Sequence, residues 1–175
     1  MKKLILLCLT IVTMAAISYA ANPASMTISC TITGTSLGVT ISSASWALSA
    51  TSVNTAYTSG QIKVSNSSGG LTESYKISAS TTNWMLGASA GANTAVLLAA
   101  LKTWPSASCG FTGTDTVLAT AGLQTCDTTH YSDSDSNCGQ TVSYATPDRA
   151  MFLKLTTPTS VTNTSETITL RITAY

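Results

Sequence analysis

From Met26 to Ile32 every second residue is apolar, with Thr27, Ser29, Thr31 and Thr33 in the alternate positions. This period of two predicts a strand with one face in a core and one in water. Leu37, Val39 and Ile41 repeat the alternation, and Trp46-Ala-Leu-Ser predicts a further short strand. Gln61 to Asn66 places Ile62 and Val64 on one face. Ser67-Ser68-Gly69-Gly70 then reads as a turn, and Leu71 to Ser78 follows with Tyr75 and Ile77 apolar. Together they predict a hairpin. The run Ala95-Val-Leu-Leu-Ala-Ala-Leu101 fits either a fully buried strand or one short helix. Its length, Val96 and the lack of charge favour the strand, and Trp104-Pro105 ends it.

Residues 106–147 are rich in Ser, Thr, Asp and Gly, apart from an apolar patch at Val117 to Ala119, and predict one long irregular loop. Regularity returns at Arg149 to Leu155, where Met151, Leu153 and Leu155 alternate with Phe152 and Lys154. The last strand, Glu166 to Ala174, sets Ile168, Leu170, Ile172 and Ala174 against Thr167, Thr169, Arg171 and Thr173. About eight short alternating strands separated by turns predict an all-β, antiparallel β-sandwich. The abundance of Thr, Val and Ile agrees, since β-branched side chains pack well on a pleated surface. No internal repeat or linker divides the chain.

Only 9% of the residues are charged and the net charge is +1. Hydroxyl side chains take the place of charges on the surface. Outside Lys2-Lys3 there is no basic cluster, so phosphate recognition is not expected and nucleic acid is excluded as a partner. Lys2-Lys3, the apolar stretch Leu4 to Ile17 and Ser18-Tyr19-Ala20 compose an export signal, with cleavage expected after Ala20. The apolar run is short for a membrane span, and no second one follows. The mature part, residues 21–175, reads as a single domain at a periplasmic or extracellular address. It retains Cys30, Cys109, Cys126 and Cys138, which in an exported chain predict disulfides. Cys126 and Cys138 flank a polar loop and form the first expected pair. Cys30 with Cys109 is the second, unless Cys30 is a buried thiol on the face of Met26 and Ile28.

The residues give little basis for catalysis. His130 is the one histidine and falls in the loop, and its spacing does not suggest a pocket that gathers it with a carboxylate and a nucleophile. The mature carboxylates are mostly in loops and lack the paired arrangement of a glycosidase. Asp133-Ser-Asp135-Ser-Asn137 spaces oxygen ligands two apart, as calcium prefers. Cys138 stands where the helix-loop-helix version needs Gly, however, and an ordinary solvated loop is the expected reading. Trp46, Trp84 and Trp104 are either core plugs or a stacking platform for carbohydrate. Asn66 and Asn163 begin sequons expected on exposed turns. The regular first and last strands either pair within the domain or add to the sheet edge of a neighbour.

Trp46-Ala-Leu, Val64-Ser-Asn66, Glu73-Ser-Tyr75, Trp84, Met151-Phe-Leu-Lys-Leu-Thr-Thr-Pro158 and Glu166-Thr-Ile-Thr-Leu170 resemble a family of uncharacterised secreted bacterial proteins. The resemblance implies an immunoglobulin-like β-sandwich and an extracellular address, and no known activity. Ile28-Ser-Cys30-Thr-Ile32 and Thr169-Leu-Arg-Ile-Thr-Ala-Tyr175 are also similar to the ends of spore-coat-U-type and archaic chaperone–usher pilins, from which this chain departs in its long loop of residues 106–147. The expectation is a non-enzymatic, cofactor-free surface protein, pilin-like or coat-like, that self-associates or meets other surface proteins through its terminal strands. The alternative is a secreted carbohydrate- or cell-wall-binding module.

Overall fold

The computed structural model describes residues 26–35, 38–49, 52–118, 124–127, 129–131 and 139–175. The expected export signal at residues 1–20, Cys138 and the calcium candidates Asp133, Asp135 and Asn137 lie outside them. The described residues form eleven strands and no α-helix. They are β1 Thr27–Thr35, β2 Val39–Ile41, β3 Ser45–Leu48, β4 Ala56–Thr58, β5 Ile62–Asn66, β6 Tyr75–Thr81, β7 Met85–Leu86, β8 Thr94–Thr103, β9 Gln124–Thr125, β10 Asp148–Thr156 and β11 Ser165–Ala174. The number exceeds the expected eight because β4, β7 and β9 are only two or three residues long, too short for alternation to reveal.

Two sheets share one core. The first has the order β3-β1-β11-β6-β9 and the second β2-β5-β10-β8-β7, with β4 also on β10. Met26, Ile28, Cys30, Tyr75, Ile77, Ile168, Leu170 and Ile172 of the first sheet meet Ile62, Val64, Leu97, Leu101, Met151, Leu153 and Leu155 of the second in a single buried cluster. The period of two explains this. Each strand sends alternate side chains inward, and β11 runs from exposed Ser165 to buried Ala174 without a break in the alternation. The ambiguous apolar run is β8, a ten-residue strand between β10 and β7. Both its neighbours supply backbone partners, so no helix is needed to satisfy its amides.

Most pairings are antiparallel, but the first and last long strands lie parallel. β1 and β11 match over nine pairs, from Thr27 with Ser165 to Thr35 with Thr173. The outer edge of β1 is covered by β3 over four pairs, Ile28 with Leu48 through Thr31 with Ser45.

The expected hairpin does not form. β5 belongs to the second sheet and β6 to the first. Asn66 explains the divergence. It is buried and its amide donates to the Leu71 carbonyl (2.8 Å) and the Val142 carbonyl (2.7 Å). The chain is thus tied into a corner that crosses between sheets. The Asn66 sequon is therefore inside this corner and not on an exposed turn, whereas Asn163 is exposed. Gly38 lies against the same turn with φ +117, and a Cβ there would sit 2.5 Å from the Ser68 nitrogen, so no larger residue fits.

Residues 106–147 are not a detached excursion. Val117 donates its N–H to Leu97 (2.8 Å), β9 extends the first sheet, and Val142 exchanges two backbone bonds with Glu73. Val117, Cys126, Tyr131 and Val142 are all buried. Among Cys30, Cys109 and Cys126 no two are joined. The expected Cys30–Cys109 bridge is absent because Cys30 points into the core opposite Trp46, where burial pushes its thiol up to about 12. Cys109 is in the surface segment after β8, its sulfur near the Gly110 carbonyl.

Glu166 fixes the turn between β6 and β7. Its buried carboxylate accepts the N–H groups of Thr82 (2.6 Å), Asn83 (2.8 Å) and Trp84 (2.8 Å). Charged acceptors make stronger bonds than neutral ones, and removing this one orphans three donors at once. Glu166→Ala is expected to lower the unfolding free energy by about 3 kcal/mol in equilibrium urea denaturation. A loss below about 0.5 kcal/mol would show that water replaces the carboxylate at no cost.

Candidate functional site

The edge of the second sheet contains a bulge. On the same side of β10, Thr58 pairs with Lys154 and Ile62 pairs with Met151. The edge chain thus advances four residues where β10 advances three. The surplus falls in Ser59-Gly60-Gln61, which is pushed off the ladder. Ser59 still serves β10, for its N–H donates to the Leu153 carbonyl (2.8 Å) and its hydroxyl accepts the Leu153 N–H (2.9 Å). Gln61 leans outward, its amide donating to the Ser106 carbonyl at 2.7 Å.

Across the gap between the sheets lies Trp46 of β3. Its register opposite Cys30 directs it inward, and it packs half-buried on the margin of the core. The indole and the bulge enclose an open cleft of about 140 Å³, lined by Ser45, Trp46, Ser59, Gly60, Gln61, Ile62 and Ser43. No ionisable side chain lines it.

The other two tryptophans are elsewhere. Trp84 is buried in the core, with its indole N–H toward the Asn163 carbonyl at 3.4 Å. Trp104 follows β8 and lies beneath the Lys63 ammonium, 5.5 Å from the ring centroid. Lys63 also pairs with Asp148 at 2.7 Å. Burial tends to raise the Asp148 carboxyl, but Lys63 and the Ser65 hydroxyl (2.6 Å) outweigh it and hold it below the ordinary value. The three indoles do not form one stacking platform, because one plugs the core and another is covered by a cation.

The structure brings His130 to a carboxylate. Asp127 Oδ1 accepts the N–H groups of Thr129 (2.7 Å) and His130 (2.8 Å) and lies 3.1 Å from His130 Nδ1. Burial works upward on Asp127, and these bonds overcome it and hold the carboxyl low. Tyr131 anchors the loop at φ +61, fully buried, with its hydroxyl donating to Gln124 (3.0 Å). Among the described residues His130 has hydrogen bonds with Asp127 alone, which does not make a nucleophile–base pair. No cluster of three metal-binding side chains occurs among the described residues.

One buried polar group has no account in the sequence pattern. Glu73 shares the inward parity of Tyr75 and Ile77 and is buried, and neither carboxylate oxygen has a hydrogen-bond partner. The Tyr75 hydroxyl beside it is also unpartnered. Burial raises the Tyr75 phenol well above its ordinary value; Glu73 adds to this and Arg149 opposes it. Arg149 likewise shares the inward parity of Met151 and Leu153.

No protein-family model, curated protein or solved structure matches this chain.

Burial raises the Glu73 carboxyl above its ordinary 4.5. A raised acid stabilises the fold fully below its unfolded value and loses that contribution as pH rises through the folded one. Parent and Glu73→Gln are therefore expected to diverge above pH about 4.5, the parent becoming progressively less stable relative to the variant as pH rises. Thermal unfolding at a series of pH values measures this, and a pH-independent gap would mean that Glu73 does not titrate in that range.

Proposed function

We propose that the chain is a non-enzymatic exported surface protein, an immunoglobulin-like sandwich that self-associates by passing β1 to a neighbouring copy. The parallel ladder between β1 and β11 carries this reading. A β1 from a second molecule makes the same nine pairs and buries the same Met26, Ile28 and Cys30. Exchange then costs nothing in side-chain burial and needs only a change of path between β1 and β2. The four-pair cover by β3 leaves few bonds on the other edge to break first.

Export through the segment 1–20 sets the address as periplasmic or extracellular, where Cys126 and Cys138 pair. Gly139 supports that bridge, for a Cβ on it would lie 2.7 Å from Cys126 Cβ, so the chain next to Cys138 runs against Cys126. The reading assigns no catalytic residue, resident cofactor or nucleic-acid partner.

Ser29 and Thr167 face each other on the exposed side of the ladder, within the span a disulfide needs. Ser29→Cys protein refolded under oxidation with Thr167→Cys protein is expected to give mixed-disulfide dimers on non-reducing gels, at yields well above the parent. The double variant shows whether the bridge closes. Internal closure of the double variant with only monomers from the mixture would overturn strand exchange.

A further inference from the structure

We propose that the cleft between Trp46 and the Ser59–Gln61 bulge binds a single neutral sugar ring. The proposal narrows the carbohydrate-binding alternative to one indole and stands whether or not β1 is exchanged.

Four observations lead to it. First, the cleft is built by a register fault. The extra residue between Thr58 and Ile62 leaves Ser59 bonded to Leu153 of β10 and turns Gln61 off the ladder toward Ser106, the kind of re-aiming that bulges provide beside binding sites. Second, Trp46 is held by its inward register on the margin of the core, so its ring is fixed and still partly open to solvent. A fixed indole offers a flat apolar face to the C–H side of a pyranose at small entropic cost.

Third, the polar groups suit hydroxyls. The Ser59 oxygen accepts from Leu153 and keeps its own proton to donate. The Gln61 amide nitrogen is engaged by Ser106, which orients the side-chain carbonyl oxygen as an acceptor. Ser45 brings a further hydroxyl. Fourth, nothing charged lines the cleft. A phosphate, carboxylate or ammonium ligand would lose its hydration with no countercharge to replace it. The volume of about 140 Å³ accommodates one ring, not an oligosaccharide, with the rest of a longer glycan outside. On the outer face of β3 and its neighbours, Ser45, Thr31, Thr169 and Ser80 form one row of hydroxyls across four strands.

Gly60 allows a clean test. A Cβ there meets nothing within 4 Å, and its φ is outside the left-handed region, so Gly60→Phe fills the cleft without opposing the backbone. Gly60→Ala is the control that leaves room. The probes are methyl β-glucopyranoside, methyl β-galactopyranoside and methyl N-acetyl-β-glucosaminide, each observed by saturation-transfer NMR on the exported protein. This ligand-side readout works for monomers and assemblies alike. At least one probe is expected to receive saturation on its ring C–H protons with a Kd on the order of 1 mM. Gly60→Ala is expected to keep the signal, and Gly60→Phe to weaken binding at least about tenfold with an unchanged circular dichroism spectrum. No saturation for any probe up to about 20 mM, or equal saturation in Gly60→Phe, would overturn the proposal.

Discussion

The pairing of β1 with β11 is the constraint on which the rest of the first sheet depends. β11 is its centre, holding β1 on one side and β6 on the other, and its inward residues Ile168, Leu170 and Ile172 are fully buried. Two parallel strands cannot be joined by a tight turn, and here the connection is almost the whole described chain. The nearby partner of β1 is β3, over four pairs only, and β11 pairs with strands far from it in sequence. β3 has its backbone partner only once β1 is in place, and with β3 comes Trp46 at the mouth of the cleft. The sheet is therefore cooperative from end to end.

Two departures from regularity stand out against that frame. The bulge at Ser59–Gln61 keeps both backbone groups of Leu153 satisfied through Ser59 and turns Gln61 off the ladder. The corner at Asn66, Glu73 and Val142 is different. Asn66 is fully engaged, whereas Glu73 and the Tyr75 hydroxyl are buried without partners. Such groups carry a desolvation penalty with no bond in return. The core is thus well packed along its length and electrostatically uneasy at one end.

The long strands were legible because burial on one face imposes a period of two, and β1, β5, β8, β10 and β11 appear where Met26, Ile62, Ala95, Met151 and Ile168 announce them. Pairing was not legible. Alternation is the same whichever neighbour a strand takes, so Ser67 to Gly70 read as a hairpin turn when it is a crossing between sheets. The parity of Glu73 and Arg149 was present, but polar residues at inward positions carry no apolar signal. The cleft was half legible: Trp46 was a candidate, but its partners come from a bulge, a mismatch between two strands that neither strand's own sequence displays. Trp84 and Trp104 show the reverse, where the same residue type serves as a core plug and as the seat of a cation.

The separation of β1 and β11 also sets an order in time. β1 leaves the ribosome well over a hundred residues before β11, an interval on the order of ten seconds at ordinary synthesis rates. Throughout it Met26, Ile28 and Cys30 have only the four-pair cover of β3 and not the nine-pair ladder of β11. A chain folding as it is made would present that greasy edge to every other nascent copy nearby. A chain carried unfolded to another compartment and released whole would meet both strands together, so the topology favours late, all-at-once folding over folding by instalments.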